Sequence, residues 1–100
     1  MSLRRECKGG ETVIFIVLGR FRKKPTKKDT DAATELLKAM EAHGGKFKVY
    51  WTLGRYDTVM IMEAPNEKDA MRASLNFADF IMTETMVAVP REEAIKRLID

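Results

Sequence analysis

The chain has one cysteine, one histidine, one tryptophan and three prolines in 100 residues. A lone Cys7 can make neither an internal disulfide nor a cysteine-based metal cluster. His43 has no metal-ligand spacing around it. The longest apolar run, Val13 to Leu18, is far short of the roughly 20 residues a membrane-spanning helix needs. Arg4, Arg5 and Glu6 charge the N-terminus, and no apolar stretch of the signal-peptide kind follows them, so the expected compartment is the cytoplasm. No glycine-rich phosphate loop is present, nor any arrangement of Cys or Ser with an activating base. Kinase and hydrolase chemistry therefore have nothing to stand on. No metal or other cofactor is expected, and there is no internal repeat of high identity, low-complexity segment or interdomain linker.

What is present is an ordinary globular composition, 45% hydrophobic and 33% charged. Residues 1–10 read as a flexible tail and 11–100 as a single domain, large enough for one core. The net charge of +3 is uneven. Arg20, Arg22, Lys23, Lys24, Lys27 and Lys28 place six cations in nine residues with no acid among them. Removing those six from the eighteen basic residues leaves twelve against fifteen acidic ones, a mildly acidic body carrying one basic loop. That pattern suits a local anion site better than a uniformly basic nucleic-acid surface.

Hydrophobic periodicity orders the elements. Thr12 to Leu18, β-branched and aromatic, reads as a strand buried on both faces and bounded by Gly10 and Gly19. After the basic loop, a helix from about Thr30 to His43 presents Ala33, Leu36, Leu37 and Met40 on one stripe. Gly44-Gly45 supplies its left-handed stop. Lys46 to Leu53 alternates, with Phe47, Val49, Trp51 and Leu53 on one side and Lys48, Tyr50 and Thr52 on the other. Gly54-Arg55 fits a two-residue type II′ turn, and Tyr56 to Glu63 returns as a strand. Asn66 can cap a second helix with Ala70, Ala73, Ser74 and Phe77 inward. Thr83 to Val89 is a fourth strand stopped by Pro90, and Arg91 to Ile99 a short closing helix.

The order βαββαβ with a terminal helix is the ferredoxin-like α+β pattern. It implies a four-stranded antiparallel sheet in the order 4-1-3-2, with two helices on one face. The continuously apolar first and third strands suit the two central positions. Their other face would be apolar and uncovered, and a patch of that kind seldom stays in water. The expectation is a homodimer, or a higher homo-oligomer, packed sheet against sheet. The alternative cover is the C-terminal helix, which is too short to span the face.

This topology gathers the chemically active side chains at one sheet edge: Arg20 and Arg22 from the basic loop, Arg55, Tyr56 and Asp57 from the turn, and Thr83, Glu84 and Thr85. Hairpin register sets Thr52 opposite Asp57 and Tyr50 opposite Val59, so Tyr50, Thr52 and Asp57 could floor an interface cleft. Each of these residues has a structural reading beside the functional one, and the structural reading is the stronger in the sequence alone. Asp57 is a general base or polar anchor, or a turn residue capping backbone amides. Tyr56 offers its hydroxyl to a ligand, or packs at a strand end. Glu84 is an acid, or the ion-pair partner of Arg20 or Arg55. The basic loop is an anion site or a solvated connection. His43 falls at the opposite end of the sheet, which excludes a His–carboxylate dyad within one subunit.

Tyr50, Thr52, Leu53, Gly54, Tyr56 and Asp57, followed by Glu63-Ala64-Pro65 and Thr83-Glu84-Thr85, resemble the pattern of the GYD-domain family. The likeness runs over roughly residues 12 to 90. It implies a dimeric ferredoxin-like fold akin to the dimeric α/β-barrel proteins, and no established substrate. The basic loop is more highly charged than the family's usual first connection.

Three functions follow. A dimeric module binding a small polar or anionic ligand leads. A cofactor-independent enzyme of the dimeric α/β-barrel kind comes second, weakened by the lack of a histidine at the cleft. RNA binding comes third, because Phe15 is the only aromatic inside the two central strands and no RNA-recognition motif is present.

Overall fold

Seven elements follow one another in the computed structural model, which describes residues 12–99. They are β1 (Val13–Phe21), α1 (Lys27–Ala42), β2 (Lys46–Trp51), β3 (Thr58–Ala64), α2 (Glu67–Phe77), β4 (Ile81–Ala88) and α3 (Arg91–Leu98). The expected tail at residues 1–10, with Cys7, lies outside the described residues. Among those described, no helix is long and apolar enough to cross a membrane.

The element boundaries follow from local hydrogen bonding. β1 does not stop at Gly19 as expected but runs to Phe21, because its ladder to β4 continues through Phe21 opposite Ile81. The Arg22 N–H then donates to the Phe80 carbonyl at 2.8 Å. α1 starts three residues earlier than periodicity alone suggests, because Thr26 and Asp29 form a capping box. Thr26 Oγ1 accepts from the Asp29 N–H at 3.2 Å, and Asp29 Oδ2 accepts from the Thr26 N–H at 3.0 Å. The basic segment Arg20–Lys28 is therefore not one loop. It is the end of a strand, a short connection over 22–26, and the first turn of a helix. α1 ends where Gly44 takes φ 100°, and α2 begins where Asn66 Oδ1 accepts from the Lys68 and Asp69 N–H groups.

All strand pairs are antiparallel, in the order β2-β3-β1-β4, which is 4-1-3-2 read from the β4 edge. Alternate residues of the central strands face the helices: Val13, Phe15 and Val17 of β1, and Met60, Met62 and Ala64 of β3, joined by Ala70 of α2. Phe15 and Met62 are the large side chains fully enclosed. Leu37 and Met40 of α1 and Phe47 of β2 pack against this cluster, yet α1 itself has no fully buried residue.

The opposite face of the sheet carries Ile14, Ile16 and Leu18 from β1, Val59 and Ile61 from β3, and the exposed Met82 and Met86 from β4. The helix layer lies on the other side, α1 against β2 and α2 against β3 and β4. α3 makes no substantial packing contact with any element, and its Ile95, Leu98 and Ile99 stay exposed. The domain thus has one helix layer and one sheet layer, with a short dimension of 18 Å.

Candidate functional site

The β2–β3 hairpin sets the geometry of the sheet edge. Tyr50 lies opposite Val59 and Trp51 opposite Thr58, and the Thr52 N–H donates to the Asp57 carbonyl at 2.8 Å, so the expected register holds. The turn itself is wider than two residues. Ladder pairing stops at Trp51, Leu53 is fully exposed, and Thr52 Oγ1 donates to the Tyr56 carbonyl at 2.6 Å. Gly54 has φ 123°, a conformation that favours glycine, as the sequence requires. Residues 53–56 project as a loop because their ends are tied elsewhere. Thr52 holds Tyr56 from one side, and Asp57 is held to β1 from the other.

Asp57 is engaged twice with β1. Its N–H donates to the Gly19 carbonyl at 2.8 Å, and its Oδ2 accepts from the Phe21 N–H at 2.8 Å. β3 begins only at Thr58, so the carboxylate supplies the acceptor that the missing strand would have given Phe21. It caps an amide of a neighbouring strand rather than one in its own turn. Through Oδ2 the carboxylate clamps the two strands together.

Tyr56 reaches across β1. Its hydroxyl donates to Glu84 Oε1 of β4 at 2.8 Å, and the Arg55 guanidinium sits over its ring at 5.8 Å from the centroid. The hydrogen bond to Glu84 raises the Tyr56 pKa above its ordinary value, assisted by partial burial and the carboxylate's charge and opposed by Arg55 and Arg20. The phenol acts here as a hydrogen-bond donor to Glu84. Register places Arg20 opposite Met82 and Glu84 opposite Leu18, both on the face away from the helices. Glu84 accepts the phenol and has no ion pair to Arg20 or Arg55. Neither arginine has a carboxylate partner among the described residues.

The other expected site residues disperse. Arg22 turns to the end of α2, its Nε donating to the Ala78 carbonyl at 2.8 Å, so it does not join the cluster. Thr83 and Thr85 alternate with Glu84 and therefore face the helices, where Thr85 Oγ1 lies 3.4 Å from Ser74 Oγ. Thr52 is occupied within the hairpin. Tyr50 lies on the uncovered face, 52% exposed, and its hydroxyl has no partner among the described residues. The cluster that assembles is Arg20, Arg55, Tyr56 and Glu84.

His43 forms the C-cap of α1 and lines a separate cavity near Asp69 and Arg72. Among the described residues, no three His, Cys, Asp or Glu side chains come together to hold a metal ion. The uncovered face of the two central strands has no aromatic residue, since Phe15 points into the core and is 1% exposed.

One feature escaped the sequence reading. α1 and α2 splay apart, leaving an apolar groove of about 330 Å³ over the helix side of the sheet. Its floor includes Thr58, a polar residue at a core-facing register position. That misplaced threonine, opposite Trp51, is the signal that could have pointed to it.

No curated protein and no solved structure shows significant similarity to the chain. The family model described as the GYD domain matches residues 15–98, which include all of the sheet but the first two residues of β1, and the whole Arg20–Arg55–Tyr56–Glu84 cluster. The chain belongs to the GYD-domain family.

Proposed function

We propose that this protein is a homodimeric small-molecule-binding module. In this reading two copies pack through their uncovered sheet faces, and a small polar or anionic ligand is held at the rim of that interface. The observation that carries the reading is the pairing of a half-buried apolar sheet face that carries no helix layer with two guanidiniums at its edge. Ile14, Ile16, Leu18, Val59 and Ile61 form the centre of that face. Burying such a surface is worth about 25 cal/mol per Å². The gain matters because the fully buried core of one chain comprises nine apolar side chains among the described residues, three of them alanine.

Arg20 and Arg55 are free to bind an anion, while the Tyr56–Glu84 hydrogen bond holds the pocket wall between them. Tyr50 adds an unengaged hydroxyl to the same face. Two considerations favour binding over the other functions. The Tyr56 hydroxyl donates to Glu84 and Asp57 Oδ2 accepts the Phe21 N–H, so two of the rim's acid–base groups are engaged in structural hydrogen bonds, which favours binding over proton transfer. The central strands have no exposed aromatic platform on which RNA bases could stack.

The test begins with the solution mass by light scattering at low protein concentration, in parallel with the variant Ile61→Glu. A wild-type dimer and a folded monomeric variant are expected. A wild-type monomer would overturn the interface. Thermal shifts with benzoate, citrate and inorganic phosphate then address the site. At least one should raise the melting temperature of the wild type and lose that effect in Arg20→Ala/Arg55→Ala. Equal shifts in both proteins would remove the rim site.

A further inference from the structure

We infer that the groove between α1 and α2 is a second binding site, on the opposite side of the sheet, for a small amphipathic carboxylate: its apolar body lies under α1 and its anionic head meets the basic β1–α1 connection. The inference goes beyond the reading above and uses none of its residues.

The groove has a size and lining suited to such a body. Its volume, about 330 Å³, falls at the lower end of the range of small-molecule pockets. Ala33 and Leu37 of α1 form one wall, Phe77 and Phe80 the other, and Val17 and Met60 part of the floor. Of the inner stripe of α1, Ala33 and Leu37 line this space and are only half-buried, while Leu36 and Met40 line the separate cavity beside His43.

The polar lining consists of four threonines, Thr30, Thr34, Thr58 and Thr83. Thr58 is 9% exposed, the one buried polar side chain among the described residues, and its hydroxyl has no hydrogen-bond partner there. An unpartnered buried hydroxyl normally costs stability. Here it lines the groove, as Thr30 and Pro25 do. β1 gives up a side chain to make room for it. A Cβ on Gly19, directly opposite in the ladder, would collide with Thr58 Oγ1.

The charge lies in the chain on either side of Pro25. Pro25 belongs to the connection that holds Lys23 and Lys24, both exposed, and the first turn of α1 adds Lys28. Cations at the positive end of a helix oppose the helix dipole. Their field reaches the helix start, where Lys23 and Lys28 help to lower the Asp29 pKa behind the hydrogen bonds from Thr26. Asp29 counters part of that charge and Asp31 pairs with Lys27 at 2.9 Å, which leaves Lys23, Lys24 and Lys28 without an ion pair among the described residues to meet an anionic head group. A monoanion suits the rim because it presents lysine point charges rather than an arginine fork; Arg22 is committed to Ala78.

Trp51, the only tryptophan, lines the groove and stacks edge-to-face with Phe21 at 5.2 Å, so its fluorescence reports occupancy directly. Decanoate, 1-decanol and decyltrimethylammonium are titrated into the full-length protein below their aggregation concentrations. Decanoate should shift Trp51 emission saturably, and the other two should bind at least about tenfold more weakly, a difference of 1.4 kcal/mol. Lys23→Glu/Lys24→Glu, which changes exposed positions only, should weaken decanoate by about tenfold and abolish its salt dependence. Ala33→Phe, which fills the groove, should eliminate the shift while leaving a cooperative melt. The inference is overturned if decanoate leaves the emission unchanged, as it would were the groove already filled by residues 1–11 or by a second copy. It is equally overturned if decanol matches decanoate, or if both variants bind like wild type. Neither result bears on the Arg20/Arg55 rim.

Discussion

The carboxylate of Asp57 accepts the backbone N–H of Phe21 at 2.8 Å, joining the start of β3 to the end of β1 where the backbone ladder between them has already stopped. The bond is partly buried, so its loss leaves an amide without an acceptor. Asp57→Ala should cost about 1–3 kcal/mol in urea unfolding, whereas Asp57→Asn, which keeps an acceptor oxygen, should cost distinctly less. Equal stability of the alanine variant and the wild type would show that the clamp is dispensable.

Tyr56 and Glu84 give a titration prediction. With Tyr50 replaced by phenylalanine, the remaining phenol should ionise above the ordinary value of 10.0 because Glu84 accepts its proton. The sign of the linkage follows. The folded-state pKa is raised, so the contribution to stability is complete below the unfolded value and is lost as pH rises through the folded one. Glu84→Gln should bring the ionisation seen by ultraviolet absorbance back toward 10.0, since the repelling carboxylate charge is gone. An unchanged midpoint would contradict the assigned contact.

Gly19 sits in the middle of β1 opposite Thr58, with Ile81 Cγ2 only 3.0 Å from where a Cβ would stand. Gly19→Ala should destabilise the fold by about 1–3 kcal/mol through overpacking. Thr58→Ala in the same chain should recover part of that loss, a coupling that a double-mutant cycle of denaturation midpoints measures. Strict additivity would mean that the two side chains do not compete for the same space.

The capping box at α1 predicts two linked effects. Thr26→Ala should cost about 0.5–2 kcal/mol. It should also move the Asp29 carboxyl, held below its ordinary 3.8 first by the Thr26 backbone N–H and further by its hydroxyl, part of the way back up. Since the folded pKa is depressed, the stabilisation is present above the unfolded value and fades as pH falls through the folded one. Carbon-detected NMR titration of Asp29 reads the shift; identical curves in both proteins would remove the box.

Much of this architecture was legible in the chain because period and punctuation agree. The two apolar runs became the central strands, and the alternation in β2 set Phe47, Val49 and Trp51 toward the helices. The boundaries were less legible. Arg20 looked like the start of a loop, but β4 lay alongside to extend the ladder past Gly19, a partner 60 residues away that no local window contains. α1 began at Lys27 because a threonine and an aspartate three apart closed a capping box, a signal hidden among lysines. The site was half legible. Arg55, Tyr56, Glu84 and Arg20 do gather at one edge, but Arg22, Thr83 and Thr85 were drawn in by proximity in sequence. Strand alternation and a carbonyl at the end of α2 send them elsewhere.

By itself, then, the sequence determined the order and type of the elements and the register of the hairpin, because those depend on hydrophobic period and on glycine where φ must be positive. It also determined that one sheet face would be apolar and without a helix. Tertiary structure alone decided what each polar side chain does. Asp57 became a clamp because the β1–β3 ladder stops at Gly19–Thr58, two residues before Phe21, and Tyr56 became a donor because β4 put Glu84 within 2.8 Å of it. Thr58 was left facing an open groove because α1 and α2 stand apart over the sheet. Such outcomes turn on gaps of an ångström or two between elements distant in the chain, and no local pattern encodes them.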